Sequence, residues 1–509
     1  MKKIIAVAIT ICVLLNGCIE KKQSFNQSVL NKEYITYAMT EFPKNLNMRA
    51  IYDDNSLEML NSIFQGLVKK DDEGNIIPAI AERWEVSKDK TTYKFYIRKD
   101  ARFSNGEIIT AEKFKIFFSE LLNKNTDNPL AYELFCISGA EAYKNGKVDF
   151  SNVAISSIED NILQIKLNNP CSFFIELLAN PLYGLRELDN KINHWETEYS
   201  NLKYSGQYII KSVNGDEINL VANEKYWGIT PSNKIKVIKV ENDEEALVDL
   251  QLGKVDLFKS QYLNNIGNIL EEPLKNEEYK FQYLVFNVKE NRVPYKVREV
   301  IKQVLDKEKI YNELLKDETT PINGFMNLGE NKVKNDTKNN ENNIELNPKS
   351  TFKFIFKDTA EDKKVANYLK ANIEKNSDIT IELKECSERD FLKYINNGEY
   401  DMTLIKYDKE YDNALNIFEK FTHNNPFNYS KYNNSLYNGY VNLLKTNKDT
   451  KKQNEIQNKC FEILEEDIPV IPLYSNNIYV YKNKYIEGLK LNYKSYINFE
   501  ELLINKSII

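Results

Sequence analysis

The sequence has little of what metal and nucleic-acid chemistry require. Only two histidines, His194 and His423, occur in 509 residues, and neither lies in a cluster spaced to bind a metal ion. Lysine and arginine number 69 against 75 acidic residues, a formal net charge of -6. A mildly acidic chain without a basic domain argues against nucleic acid as a partner. We therefore expect no metal, no cofactor and no nucleic-acid partner.

Cysteine is also scarce, and its six positions are widely spaced along the chain: Cys12, Cys18, Cys136, Cys171, Cys386 and Cys460. No two of them have the C-x-x-C spacing of a metal or redox site. A chain of this length does not need a disulfide framework in order to fold. We expect the last four to be buried thiols, and one chance pair among them stays open.

Long apolar runs are missing after the N-terminus. The run from Ile4 to Leu15 follows Lys2 and Lys3 and is too short for the roughly 20 residues that cross a bilayer as a helix. A charged start, a short apolar middle and a small residue at the break are typical of a secretory signal peptide, here 1–17. Residues 18–32 are polar and suit a flexible tether.

The end of this segment, Leu15-Asn16-Gly17-Cys18, resembles the bacterial lipobox. In a lipobox the cysteine is acylated and becomes the new N-terminus, so Cys18 is the predicted lipidation site. An ordinary signal peptide with an incidental cysteine is the alternative. The prediction places the protein outside the cytoplasm, anchored to the cell membrane by lipid, in the periplasm or on the outer face.

Motifs of common enzymes are incomplete. Ser87 to Lys90 and Ser200 to Lys203 each spell S-x-x-K, but the partner motifs of penicillin-recognising serine enzymes are missing. Gly139 and Gly146-Lys147 are wrongly spaced for a P-loop. We predict that the protein is not an enzyme.

Patterns of apolar residues predict alternating strands and helices, and the length predicts two or three sub-domains. Leu57 to Leu67 suits a helix capped by Asn55 or Ser56, and Asn214-Gly215-Asp216 suits a hairpin turn. The Asn/Lys/Glu-rich stretch from Gly329 to Lys349 is predicted to be a surface excursion.

The clearest pattern is β-α-β-α-β, with strands at Thr351–Phe356, Ile379–Leu383 and Met402–Tyr407. It predicts a parallel, doubly wound sheet, in which ligands bind beyond the carboxyl ends of the strands. The last strand runs into the acidic, aromatic-flanked turn 407–412, which is therefore a candidate ligand site. A solvated acidic loop is the alternative.

Several sequence blocks resemble one family, the extracellular solute-binding proteins of the peptide/nickel class that serve oligopeptide and dipeptide ABC importers. The blocks occur in the family's order, at 37–47, 63–68, 78–98, 103–107, 226–228, 252–256 and 468–474. Two more, at 128–132 and 139–143, are similar to the oligopeptide-binding branch.

The resemblance implies an α/β protein with the two-lobed periplasmic-binding-protein fold, class II, in its large three-subdomain form, with a hinge and a ligand cleft between the lobes. Lobe I is expected at 33–255, with an extra subdomain at about 43–158. Lobe II is expected at 256–474, and 475–509 return to lobe I.

In the oligopeptide branch, an aspartate that follows a tryptophan pairs with the α-amine of the peptide. An ungapped alignment places Tyr407 at the tryptophan and Glu410 at the aspartate, with Asp408 and Asp412 as rivals for that role. The Asp-Pro that follows in the family is Asn413-Ala414 here. Further ligand-binding candidates implied by the resemblance or by exposed sheet edges are Lys406, Glu41, Phe42, Tyr132 and Asn434.

The resemblance implies a monomeric lipoprotein that captures oligopeptides and delivers them to an ABC permease and its ATPase. Two alternatives keep the fold: it could bind another solute, such as a nickel chelate, haem or an oligosaccharide, or it could be a receptor for a signalling peptide.

Overall fold

The computed structural model of the protein describes residues 32–49, 53–71, 73–263, 272–322, 351–408, 414–447, 449–491 and 496–507. The predicted signal peptide, nearly all of the tether, the excursion at 329–349, and the sites Cys18, Glu410 and Asp412 lie outside these residues.

The strands, labelled in chain order, are β1 Tyr34–Met39, β2 Val68–Lys70, β3 Ile76–Pro78, β4 Ala81–Val86, β5 Thr92–Ile97, β6 Ile155–Glu159, β7 Ile162–Lys166, β8 Tyr208–Asn214, β9 Glu217–Ala222, β10 Lys234–Lys239, β11 Leu257–Ser260, β12 Leu274–Phe286, β13 Thr319–Pro321, β14 Thr351–Lys357, β15 Thr380–Cys386, β16 Met402–Asp408, β17 Val470–Lys482, β18 Ile486–Glu487 and β19 Leu503–Ile504.

The α-helices are α1 Asp54–Ile63, α2 Ala111–Leu122, α3 Ala140–Lys144, α4 Phe174–Leu178, α5 Asn190–Asn193, α6 Trp195–Glu198, α7 Asp243–Gln251, α8 Tyr295–Val304, α9 Lys307–Lys309, α10 Ala360–Asn376, α11 Glu388–Asn397, α12 Leu415–Glu419, α13 Ser435–Thr446 and α14 Thr450–Asp467. No helix within the described part of the chain is long and apolar enough to cross a membrane.

One large sheet connects the two halves of the protein. Its strand order is β15-β14-β16-β12-β17-β11-β1-β10-β9-β8, with β13 paired to β17. Lobe I is the part built on β1 and β8–β11, together with α1–α7 and the smaller sheets β2–β3 and β4–β7. The part built on β14–β16 with α8–α14 is lobe II.

The 13-residue strands β12 and β17 join the lobes. The last residues of β17 pair with β11 of lobe I. The first half of β17 pairs with β12, and the same part of β12 pairs on its other side with β16 of lobe II. The β12–β17 register shifts between Asn276 and Lys280, so an irregularity lies where both strands cross. Two crossing strands with a local irregularity are the structure that a hinge requires.

Lobe II contains the predicted β-α-β-α-β unit. β14 pairs in parallel with β15 on one side and with β16 on the other, and α10 and α11 are the crossovers. Thr359 caps α10 by accepting a hydrogen bond from the Asp362 amide, and Ser387 caps α11 in the same way from Asp390. The prediction from the apolar pattern is confirmed.

Two details near the N-terminus differ from the sequence-based expectation. α1 is capped by Asp53, whose side chain accepts from the Asn55 amide, and not by Asn55 or Ser56. The helix ends at Ile63, so Leu67 lies beyond it although its side chain is buried. An aspartate is as good a cap as serine or asparagine, and apolar periodicity cannot tell a helix from the buried segment after it.

The hairpin of β8 and β9 is confirmed.

The largest cluster of buried apolar side chains includes residues of both lobes, among them Phe174 and Leu130 of lobe I and Phe418 and Tyr437 of lobe II. A second cluster lies in lobe II between α10 and the sheet. The largest apolar cluster therefore runs continuously through both lobes and the strands that join them.

Candidate functional site

The carboxyl end of β16 lies at the gap between the lobes. Asp408, its last residue, is 3.7 Å from the Nζ of Lys280 on β12, and the same ammonium is 2.7 Å from Oδ2 of Asp54 in lobe I. A single lysine therefore contacts a carboxylate from each side of the gap. The acidic turn predicted as a ligand site begins at this point.

The sheet register explains why Lys280 reaches Asp408. β12 and β16 are antiparallel, and Lys280 is directly opposite Asp408 in that ladder. Side chains of directly opposed residues leave the sheet on the same face, about 5 Å apart. Asp54 comes from the first turn of α1, where a carboxylate is favoured by the helix dipole.

Two further contacts cross the gap. Lys44 of lobe I pairs with Glu41 at 2.9 Å and lies 3.9 Å from Glu388 at the start of α11. The rings of Tyr132 and Phe427 meet edge to face, with centroids 6.2 Å apart. The predicted candidates Glu41 and Tyr132 thus lie at the lobe interface.

Lys406 belongs to a buried polar network on the lobe II side. Its Nζ lies 2.6 Å from Glu361, which also accepts hydrogen bonds from the Tyr474 hydroxyl at 2.8 Å and from Asn476 Nδ2 at 3.0 Å. Burial acts to raise the pKa of Glu361, but Lys406 and the two hydrogen bonds outweigh it and hold that pKa below its usual value. Glu361 is therefore an anion that holds α10 to the hinge strand β17 and to β16.

The neighbouring carboxyl group behaves differently. Burial raises the pKa of Asp362 to about 6, because Lys406 and Lys357 offset only part of the desolvation. Burial likewise lowers the pKa of Lys357, although the carboxylates of Glu388 and Asp362 act in the opposite direction. The ends of β14 and β16 thus form a charged rim in which acidic and basic groups compensate one another.

Tyr407 points away from this rim. Its ring is 2% exposed and lies against Tyr283, Phe421 and Tyr429, and its hydroxyl donates to the Phe427 carbonyl at 2.9 Å. Burial raises the pKa of its phenol well above the usual value. In this structure Tyr407 is a core side chain that supports β16, and its assignment as a ligand contact stays a prediction.

The strand β16 extends beyond the residues at which it pairs with β14. The ladder to β12 covers Met402 to Asp408, whereas the recorded pairs with β14 are at Met402 and Thr403. The assignment of Lys406–Asp408 as a sheet edge on the β14 side stays a prediction. Such an edge accepts an extended chain through backbone hydrogen bonds.

The remaining candidates have structural contacts. Phe42 lies three residues after β1 and packs against the core. Asn434 caps α13, accepting from the amides of Leu436 and Tyr437, and donates to Asp467 at 2.9 Å. Their ligand-binding roles stay predictions.

The structure also brings in residues that the sequence did not single out: Lys280, Asp54, Lys44, Glu388 and Phe427. Lys280 gives no signal of this role in the sequence, since other polar residues, among them Lys275, Asn276 and Gln282, also occur in β12. The others are ordinary polar or aromatic residues whose importance comes only from long-range contacts. No group of histidine, cysteine and acidic side chains able to hold a metal occurs among the described residues.

Comparison with known proteins identifies the family. The model of the bacterial extracellular solute-binding proteins, family 5 (middle), matches residues 75–429. The chain belongs to this family. The predicted family and its two-lobed fold are thereby confirmed, and the family is one of extracytoplasmic solute-binding transport proteins.

Relatives are distant in sequence but match nearly the whole chain. The dipeptide-binding protein DppE of Bacillus subtilis is 22% identical over 530 residues, which covers 97% of each chain. The oligopeptide-binding protein OppA of the same organism is 24% identical over 493 residues, covering 89% of this chain and 88% of its own. The structure of Listeria monocytogenes OppA bound to peptide has a TM-score of 0.76 at 22% identity, covering 93% of this chain and 99% of that one.

Proposed function

We propose that the protein captures oligopeptides between its lobes and delivers them to an ABC permease and its ATPase. The observation that carries the proposal is the position of Asp408 at the interlobe gap, because the acidic residues Glu410 and Asp412 follow it closely in the chain. The relatives described above are named as dipeptide-binding or oligopeptide-binding proteins, and this supports a peptide as the solute.

A sheet edge at Lys406–Asp408 would suit a ligand whose backbone is constant and whose side chains vary. An extended peptide adding to this edge would make hydrogen bonds that do not depend on its sequence. A transporter that accepts many peptides needs affinity from shared features, namely the backbone and the two termini.

The free α-amine of a peptide is the other shared feature. Burying an ammonium between closed lobes costs several kcal/mol unless a carboxylate meets it. We assign that carboxylate to Glu410, with Asp408 and Asp412 as the alternatives. The contact of Asp408 with Lys280 favours Glu410, because Asp408 already has a cation near it.

Calorimetry with short free-amine peptides and their N-acetylated forms tests the proposal. Glu410→Gln is expected to weaken binding of the free-amine peptides by about 3–5 kcal/mol, the usual cost of an unpaired buried charge. N-acetylated peptides should bind weakly to both proteins. Glu313→Gln, an exposed carboxylate on the surface of lobe II, is the matched control and should bind as the wild type does.

Unchanged affinity in Glu410→Gln together with a loss in Asp408→Asn or Asp412→Asn would move the role to that residue. Mass spectrometry of ligands released from the purified protein tests the solute itself: peptides are expected. Recovery of an oligosaccharide, haem or a metal chelate in place of peptides would contradict the proposal.

We also propose that Cys18 carries the lipid anchor. The contacts of Lys32, the last residue of the predicted tether, support a firm attachment of the tether to lobe I. Lys32 pairs with the buried Asp256 at 2.6 Å, and Asp256 also accepts from the Thr36 amide and the Tyr485 hydroxyl. The tether would therefore begin at a fixed point on the folded protein.

A further inference from the structure

The chain joins lobe I beside the carboxyl end of α7. Lys32, the first described residue, donates through Nζ to the Gly253 carbonyl at 2.9 Å, and Gly253 follows shortly after the end of α7. The two segments continue side by side, since the Thr36 amide donates to Asp256 at 2.7 Å and β1 then pairs in parallel with β11. The junction between the predicted tether and lobe I is therefore next to the end of α7.

One face of α7 is exposed, apolar at its carboxyl end and acidic at its start. Val248 and Leu252 are 52% and 59% exposed, and Glu244 and Glu245 in the first turn are exposed as well. Their spacings of three, four, seven and eight residues place all four on one side of the helix. A single exposed apolar side chain is ordinary, but here two lie one turn apart, directly beside the point where the tether begins.

The sequence before Lys32 has residue types in the complementary order. Val29 and Leu30 are the apolar residues nearest to Lys32, and the basic residues Lys21 and Lys22 lie further towards the N-terminus. The apolar pair is thus close to the junction, which is beside the apolar end of α7. The two lysines are far enough along the chain to reach the acidic end of the same helix.

We propose that residues 21–31 of this chain dock along the exposed face of α7. Val29 and Leu30 cover Val248 and Leu252, and the two lysines meet the acidic first turn of the helix. The face is about 12 Å long at 1.5 Å per residue, and a chain of ten residues can extend to about 33 Å, so the segment reaches both ends.

Other occupants match this face less well. A membrane surface that contains anionic lipids would be repelled by the acidic turn. A second copy of the same face would offer carboxylates in place of cations, because α7 has no basic residue in its sequence. The tether alone brings both apolar and basic residues, and it is already fixed to lobe I beside the helix. It is therefore the occupant that both ends of the face favour.

Docking would set the orientation of the protein at the membrane. With lipid on Cys18, a free segment 19–31 would let lobe I stand up to about 45 Å from the anchor, at the reach of an extended chain. Docking leaves only residues 19 and 20 between the anchor and the bound segment, so the α7 side of lobe I would face the membrane. The docking itself depends neither on the solute nor on lipidation of Cys18.

Photo-crosslinking in the exported full chain tests the contact. The photo-reactive variant is Leu252→benzoyl-phenylalanine, and the control is Ile116→benzoyl-phenylalanine, at a position 45% exposed on another helix of lobe I. After irradiation, trypsin cuts behind Lys22 and Lys32 and releases the peptide 23–32. A cross-link from position 252 to that peptide within one copy is expected, and none from position 116. Cross-links from position 252 only to lipid or to a second copy, or no cross-link to 21–31, would overturn the proposal.

Hydrogen exchange gives a second measurement that needs no cross-linker. Backbone amides in 28–31 should exchange at least about tenfold faster in Val248→Ser/Leu252→Ser than in the wild type, because the segment loses the surface on which it packs. Ile116→Ser should leave their exchange unchanged. All three substituted side chains are exposed, so the variants should keep the wild-type melting temperature. Equal exchange of 28–31 in the wild type and the double variant would contradict the inference.

Discussion

The ammonium of Lys280 lies 2.7 Å from Oδ2 of Asp54, and this contact joins a hinge strand to the first helix of lobe I. Because Lys280 also lies opposite Asp408 on β16, the lysine neutralises one carboxylate from each lobe. The contact exists only where the lobes meet. Lys280 should therefore favour the closed arrangement over an open one.

Lys280→Gln removes the cation and leaves Asp54 and Asp408 facing each other across the gap. Their repulsion and incomplete solvation should favour opening by about 1–3 kcal/mol, since the pair is about a quarter exposed or less. Small-angle X-ray scattering should show a larger radius of gyration without ligand. Calorimetry should show weaker peptide binding by a comparable free energy.

Lys44→Gln is the matched control for that experiment. Lys44 also crosses the gap, but its side chain is 49% exposed and its contact with Glu388 is long, at 3.9 Å. Exposed pairs of this kind contribute at most about 1 kcal/mol. Equal effects of the two substitutions on the radius of gyration would contradict the role given to Lys280.

Glu361→Gln should destabilise the protein by about 2–3 kcal/mol. The amide keeps an acceptor for Tyr474 and Asn476 but leaves Lys406 without its anionic partner, and breaking one side of a mostly buried pair is costly. Denaturant titration measures the change. Glu313→Gln, whose carboxylate is 68% exposed, should change stability by less than about 0.5 kcal/mol.

Asp362 should make stability depend on pH. Its pKa is raised from 3.8 to about 6 in the folded protein, so the folded state binds this proton more tightly than the unfolded state does. The resulting stabilisation is fully present below pH 3.8 and is lost as the pH rises through 6, a total of about 3 kcal/mol. Asp362→Asn should therefore gain stability relative to wild type between pH 4 and pH 7.

Denaturant titrations of wild type and Asp362→Asn at these two pH values provide the comparison. Asp390→Asn is the control. Asp390 also lies in the first turn of a helix, α11, but its side chain is exposed. A stability difference between wild type and Asp362→Asn that stays constant over this range would show that Asp362 does not titrate there.

Cys18→Ala should abolish membrane anchoring. Without the acylated cysteine the exported protein should move from the detergent phase to the aqueous phase in a phase-separation assay, since the anchor comes from the hydrocarbon of the attached lipid. Cys12→Ala, within the predicted signal peptide, should leave partitioning unchanged. Retention of the Cys18 variant in the detergent phase would disprove the lipid-anchor proposal.

Local sequence signals predicted the β-α-β-α-β unit of lobe II accurately. In β14, α10, β15, α11 and β16, apolar periodicity, capping residues and turns are all encoded within a few neighbouring residues. The cap of α1 was predicted wrongly because Asp53, Asn55 and Ser56 lie within four residues of one another, and each of these residue types is a good helix cap.

The candidate site was predicted only in part. Lys406, Asp408, Glu41 and Tyr132 lie at or near the lobe interface, while Tyr407 is packed in the core. Strand alternation explains the difference, since Lys406 and Asp408 share one face of β16 and Tyr407 points to the other. That alternation is visible in the sequence, but which face meets the gap depends on the partner strands.

By themselves, the apolar pattern and the family blocks determined that this is a two-lobed α/β solute-binding protein with an acidic stretch of sequence after a parallel strand. Only the tertiary structure decided that Lys280 joins Asp54 to Asp408 and that Glu361 neutralises Lys406. These partners are far apart in the chain. Their contacts depend on strand register across the hinge and on closure of the lobes, which no local pattern of residues encodes.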